Sequence, residues 1–452
     1  MDICPMKKLS FLLLLVLLFT YCKKDNNNHP VVPPPDDTTS FSIPSTRDII
    51  MYEVNLRAFS QSGDIQGVIN RLDEIRALGI NVIWLMPIYP IGQIKTVNSP
   101  YCVQNYEAVN PEFGTMSDLQ SLVKESHKRN IAVILDWVAN HTAWDNPWIA
   151  NADWYTQDGQ GNIISPAGTN WQDVADLNYD SQPMRLAMIE AMEYWVKNAD
   201  IDGYRCDAAD WIPFDFWKQA IDSVNGSKDS LIWLAEGARA DHFNAGFQMN
   251  YSWDFYNRLN DVYNGNSPAA SLVLVNNQEY LNLPPGAEKL RFTTNHDKSA
   301  WESTPMVRYN GEQGALAASV AAIYLGGVPL IYGSQEVGQE QTVPFFSHDP
   351  IDWTQHPEML QAYKDLLGIY TTSDAAKRGA LKTYSTLDIL SFTKIYDQDT
   401  VLVIDNLRNS VITYNLHSDL QNTAWRNALD ASNVSLTTSL NLEAYQYLIL
   451  KK

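Results

Sequence analysis

From Asp48 onward the chain alternates short, β-rich apolar runs with longer amphipathic ones, and this alternation constrains the fold more than any other feature. The short runs are Ile49–Leu56, Ile80–Met86, Ile131–Leu135, Ile201–Tyr204, Leu231–Leu234, Leu290–Thr293 and Val328–Tyr332. A further run within Gly246–Tyr251 is the weakest marked. Between them lie stretches with helical period, such as Ile65–Leu78, Met116–Arg129, Pro183–Asn198 and Phe214–Val224. A strand that returns through a helix must pair parallel to the last, and about eight such repeats close a (β/α)8 TIM barrel. The sequence therefore predicts an α/β fold.

Two segments break the alternation. Between the third strand, ending at Leu135, and the helix starting near Pro183 the chain is rich in Trp, Asp, Asn and Gly with no helical period, which predicts a long functional loop on one face of the barrel after strand 3. After Tyr370, short alternating runs (Leu387–Ile395, Thr400–Asp405, Ala444–Leu450) predict a C-terminal all-β domain. A chain of 452 residues is too long for one compact core. The boundaries read as 44–372 for the barrel and 373–452 for a β-sandwich.

The N-terminus reads as targeting. Lys7 and Lys8 precede an apolar run, Leu9–Phe19, too short for a stable bilayer anchor but of signal-peptide proportions. The run closes on Cys22, which resembles a bacterial lipoprotein signal (1–21) whose Cys is lipidated, although Tyr21 is larger than the usual preceding residue. The polar, Asn- and Pro-rich stretch 22–43 then reads as a flexible tether. This predicts an exported lipoprotein, membrane-anchored at the cell surface or in the periplasm; a plain secreted protein is the alternative. A net charge of −20 argues against nucleic acid as partner. A monomer is expected. Once Cys4 and Cys22 are set aside, Cys102 and Cys206 form neither a disulfide framework nor a metal spacing.

Acidic residues stand just past several of the runs: Asp136 in Asp-Trp-Val-Ala-Asn-His, Asp207 in Gly203-Tyr-Arg-Cys-Asp, Glu236 in Leu-Ala-Glu-Gly, and Asp297 in Thr-Asn-His-Asp. Barrel active sites form at the C-terminal ends of strands. A retaining glycosidase needs two carboxyl groups about 5–5.5 Å apart, and strands about 4.8 Å apart can supply that. Alternation puts Arg205 and Asp207 on one face, so Arg205 is expected to hold Asp207 ionised, as suits a nucleophile. The apolar neighbours of Glu236 predict a desolvated, protonated acid. Each residue alone has a plainer explanation, such as a helix cap or a structural ion pair; the argument lies in their joint order.

These segments resemble the α-amylase family, glycoside hydrolase family 13, from about Met51 to the C-terminus. Met51–Asn55, Gly79–Pro87 and Gly327–Glu336 are similar to its first, second and eighth strands, and Asp173–Asn178 to its motif in the long third loop, domain B (about 141–182 here). The resemblance implies Asp207 as nucleophile, Glu236 as general acid/base and Asp297 as transition-state stabiliser. It implies that Arg205 orients Asp207, that His141 and His296 bind sugar hydroxyls, that Tyr101 stacks under the sugar, and that Asp136 supports the site. The implied reaction is retaining hydrolysis of α-1,4-glucosidic bonds in starch, glycogen or maltooligosaccharides. A same-fold transglycosylase, glucosyl isomerase or sucrose-active enzyme shares the triad; a non-catalytic glycan-binding protein is the remoter alternative. Asn140 and Asp176 match calcium-site positions, so a structural calcium is the one cofactor implied. The chain departs from the family at Asp210-Trp211, where many members have Lys-His. Trp211 there either stacks on a glucose or packs in the core.

Overall fold

The computed structural model describes residues 41–452; the lipidation candidate Cys22 and most of the 22–43 tether lie outside the described residues. Eight strands close a parallel barrel: β1 (Met51–Val54), β2 (Val82–Leu85), β3 (Ala132–Trp137), β6 (Gly203–Cys206), β7 (Ile232–Ala235), β8 (Met249–Tyr251), β9 (Glu288–Arg291) and β10 (Val328–Tyr332). Two short strands in the loop after β3, β4 (His141–Ala143) and β5 (Val174–Asp176), pair antiparallel beside the mouth. Alternate residues of the barrel strands face opposite layers. Met51, Trp84, Ile134, Leu234 and Leu330 fill the interior, while Tyr52, Leu85, Leu135, Cys206 and Trp233 pack outward against the helices. Phe41 and Ile43 pack against the interior cluster.

Two details differ from the sequence expectation. The seventh barrel strand is Glu288–Arg291, not Leu290–Thr293. Its charged residues are buried because each meets a partner: Glu288 pairs with Arg47, Lys289 with Asn250, and Arg291 with Glu279. Hydropathy therefore points away from a strand that ion pairs and a hydrogen bond make possible. The first helix is two, Ile65–Asn70 and Leu72–Ala77, meeting at Arg71.

Strands β11 (Ala380–Thr383), β12 (Ile389–Tyr396), β13 (Asp399–Asn406), β15 (Thr423–Asn427), β16 (Asn433–Leu436) and β18 (Tyr447–Lys451) form one antiparallel sheet, and β14 (Ile412–Asn415) pairs with β17 (Ser439–Leu442). One face of the larger sheet (Leu390, Phe392, Val403, Ile449) shares a core with the barrel helix Glu312–Tyr324; the other closes its own core around Leu402, Tyr414 and Trp425.

Candidate active site

The register pairs Cys206 of β6 with Ala235 of β7, so the next residues, Asp207 and Glu236, leave adjacent strands side by side. Backbone bonds continue the ladder through both: Asp207 N–H donates to Trp137 O (2.9 Å) and Glu236 N–H to Cys206 O (2.9 Å). Arg205, fully buried, projects between the carboxyl groups. Its Nη1 donates to Asp136 Oδ1 (2.8 Å) and Asp207 Oδ1 (3.0 Å), and its Nε to the Tyr251 hydroxyl (3.2 Å). Nη2 lies 3.0 Å from Glu236 Oε1, close enough for an ion pair but too poorly aligned for a hydrogen bond. Trp84 carries the guanidinium on its face, 4.9 Å from the ring centre.

A second chain of contacts runs across the barrel. The Tyr101 hydroxyl donates to Asp136 Oδ2 (3.0 Å) and lies 2.8 Å from His296 Nε2, with the two rings stacked 20° from parallel. His296 Nδ1 meets Glu53 Oε1 at 2.5 Å. Burial alone lowers the imidazole pKa, but Asp297 and Glu53 more than offset it and leave it raised to about 9, so His296 is a cation at neutral pH. Asp297 stands 3.6 Å from His296 Nε2 with its carboxylate partly open to the cavity.

Two electrostatic expectations need correction. Arg205 does not hold Asp207 low. One guanidinium serves three carboxyl groups, and burial, followed by the charge of Glu236, raises the Asp207 pKa well above the carboxylate range. Glu236, in turn, does not sit in an apolar pocket. Its sequence neighbours Trp233 and Ala235 point outward, and its own carboxylate meets Arg205 and the Ala208 N–H (2.7 Å to Oε2).

His141 is neutral, since burial lowers its pKa to about 4. Its Nε2 faces the Tyr101 carbonyl (3.2 Å) and its Nδ1 accepts from the Asn140 amide (3.3 Å), which places the proton on Nε2. Trp211 is 54% exposed, which excludes core packing. Asn140 and Asp176 come close through the β4–β5 pairing but offer one amide and one carboxyl. The carbonyls on either side of Trp211 are taken by the Arg239 guanidinium (2.9 Å each). That donor set falls short of the six to eight oxygens a calcium ion takes. Among the described residues, the acidic group close enough to share an ion is Glu312–His356–Glu358, which includes neither residue.

The cavity over these groups holds about 490 Å³ and is lined by Tyr101, His141, Trp171, Trp301, Phe345 and Phe346 among others. Sequence reasoning missed Glu53, Trp84, Trp171, Tyr251 and Trp301. Glu53 carried a signal, a lone carboxylate inside the apolar run Met51–Val54. The loop aromatics carried none, because loop shape decides what they face.

A family model described as "Alpha amylase, catalytic domain" matches residues 35–385. Alpha-amylase 3 of Dictyoglomus thermophilum is 25% identical over 84% of this chain and 89% of its own length. A cyclomaltodextrinase of Thermoanaerobacter pseudethanolicus is 26% identical over 76% of this chain and 63% of its own. The crystal structure of an alpha-amylase from Lactobacillus plantarum superposes with a TM-score of 0.81 at 26% identity, covering 90% of this chain and 99% of that one.

Proposed function

Because the chain belongs to the alpha-amylase family and is a glycoside hydrolase of that type, we propose that it cleaves α-1,4-glucosidic bonds of starch-like glucans with retention of configuration. The observation that carries the reading is one guanidinium, Arg205, gripping Asp136, Asp207 and Glu236 on the floor of a sugar-sized cavity.

Asp207 is the nucleophile. Its oxygen bonds to the anomeric carbon while Glu236 gives a proton to the departing glycosidic oxygen. Water then attacks the same carbon, returns a proton to Glu236 and releases Asp207. Two inversions preserve the α configuration. Three carboxyl groups around one guanidinium cannot all be ionised cheaply, and burial with the charge of Glu236 raises the Asp207 pKa in the free site. Cleavage requires Asp207 to be ionised once the sugar is bound, with the transferable proton on Glu236 beside the departing oxygen. Asp297 faces the positive charge that develops on the sugar, while the Tyr101–His296 pair holds the sugar from the same side. His141 completes that wall, and Trp211 contacts sugar at the mouth.

Export is part of the proposal. The Leu9–Phe19 run ending at Cys22 supports a lipid-anchored, exported monomer, and loss of lipid labelling in Cys22→Ser checks it. The catalytic test is a timed product profile on soluble starch, maltoheptaose, a cyclic maltodextrin, pullulan and sucrose. Short α-maltooligosaccharides from starch support the reading. Products longer than the substrate move the enzyme to transfer. A cyclic maltodextrin opened faster than starch moves it toward the activity named for the cyclomaltodextrinase relative. No turnover of any of the five overturns it.

A further inference from the structure

The side of the barrel opposite Glu236 decides where the rest of a bound chain can go. In the closed ring of strands, β1 stands four places from β7 in either direction. A sugar held with its anomeric carbon between Asp207 and Glu236 turns its O4 away from them, because C1 and C4 are at opposite ends of a pyranose ring. Further glucose units linked through that O4 must cross the mouth above β1, between the loop after β2 and the loop after β10.

Those two loops are tied together there. Arg57, just past β1 and buried, donates from Nη1 to Asn98 O of the β2 loop (2.7 Å) and to Phe345 O of the β10 loop (2.9 Å). Glu112 takes its Nε and Nη2 at 2.7 Å each, a two-pronged pair that fixes the guanidinium plane. The Asn98 amide spans the gap a second time, donating to Phe346 O (2.6 Å), and the Asn55 amide at the end of β1 donates to Pro344 O (3.0 Å). Trp301 extends the wall from the β9 side, edge-on to Phe345 and Phe346 with ring centres 5.6 and 5.3 Å away. The wall residues that line the cavity, Val97, Phe345, Phe346 and Trp301, are apolar. Asn98 spends its side chain within the bridge, its oxygen accepting from Arg57 Nη2 (3.2 Å).

Resting on the reading of Asp207 and Glu236 as the catalytic pair, we propose that this bridge closes the donor end of the cleft, so that the enzyme seats the non-reducing end of a glucan chain and releases short products from it rather than cutting at internal bonds. Arg57 and Asn98 are positioning residues: they act through the two loops they hold shut, and thereby set how much chain the donor side accepts.

The test compares maltoheptaose with maltoheptaose whose non-reducing glucose carries a 4,6-O-ethylidene group. An enzyme that enters between internal units cuts both alike; one that must seat a chain end loses the blocked substrate. In the wild type, kcat/KM for the blocked chain is expected to lie about 100-fold or more below that for the free one. Arg57→Gln and Asn98→Gly each narrow that gap by about 10-fold or more, a change in the ratio that a general loss of stability does not produce. Asn98 is exposed and has φ +64°, so glycine fits its backbone without strain and keeps the comparison available if loss of the buried Arg57 charge unfolds the chain. Equal cleavage of the two substrates by the wild type overturns the closed end. A gap that Asn98→Gly and a folded Arg57→Gln both leave unchanged overturns the bridge as its cause. A wild type inert toward both substrates overturns the reading of the catalytic pair, and the closed end with it.

Discussion

At the scale of single residues, the site places more negative charge around Arg205 than one guanidinium can balance, and the cost falls on Asp207. Its raised pKa means that the folded protein binds a proton there which the unfolded chain, near pH 3.9, has released. Stability from this group is therefore lost as pH rises from about 4 through the folded value. Asp207→Asn removes the charge and the nucleophile together. It should lower kcat by on the order of 10⁴-fold or more and raise the melting temperature at pH 7. A variant that melts below the wild type would count against this charge balance, and one that still turns over starch would count against the mechanism. His296 has the opposite sign. A histidine raised from 6.5 to about 9 adds stability that is complete below about 6.5 and disappears as pH climbs through 9. The gap in melting temperature between wild type and His296→Gln should then be widest at pH 6 and close above pH 9. A gap of constant width would mean that packing, not the charge facing Glu53 and Asp297, is what the imidazole contributes.

At the scale of elements, the strands that carry Asp207 and Glu236 pair at their base through a glycine whose backbone leaves no room for a side chain. Gly203 opens β6 with φ +146°, and a Cβ there would stand 2.0 Å from the Ile232 carbonyl oxygen of β7. Backbone cannot yield as a side chain can, so Gly203→Ala should destabilise the fold by about 2–4 kcal/mol. It should also lower kcat, since parting the strands misaligns the two carboxyl groups; thermal melts and starch kinetics read both, and an alanine variant indistinguishable from wild type would show that the approach is not needed. The same elements show what can be read without coordinates. β1, β2, β3, β6, β7 and β10 are buried on both faces, so they appear in the sequence as nearly continuous apolar runs. β9 does not, because its buried charges are kept by partners: Glu288 and Arg291 pair with Arg47 and Glu279, and Lys289 donates to the Asn250 amide oxygen. Asp207 and Glu236 were legible for a related reason: each follows such a run directly. Trp171 and Arg239 stand in loops, where no period links a residue to the group it touches.

At the scale of the whole molecule, the C-terminal sheet is built onto the barrel, and the seam contains a group that neither part satisfies. Asp405 of β13 lies on the same sheet face as Val401 and Val403, which pack into the core shared with the barrel. It is fully buried, and neither carboxylate oxygen has a hydrogen-bond partner. Burial alone raises its pKa well above the carboxylate range. Around it the seam is closed by polar contacts: the Asn310 amide donates to the Tyr445 hydroxyl (2.8 Å), and Arg408 donates to the Ser267 carbonyl (3.1 Å). An acid of this kind is harmless while protonated and costly once it must ionise or draw water into the seam. The sign follows as for Asp207: the folded state keeps a proton that the unfolded chain gives up near pH 3.9, so the penalty grows with rising pH. Asp405→Asn removes the titration while keeping the shape. Its melting temperature should match the wild type near pH 4 and exceed it increasingly toward pH 8, by about 1–3 kcal/mol of unfolding free energy at the upper end. Because sheet and barrel share one core, the gain should shift a single transition. Two transitions, of which only the first moves, would mean that the sheet melts by itself; a difference independent of pH would mean that Asp405 is ionised in the seam and held there by something other than the groups that surround it.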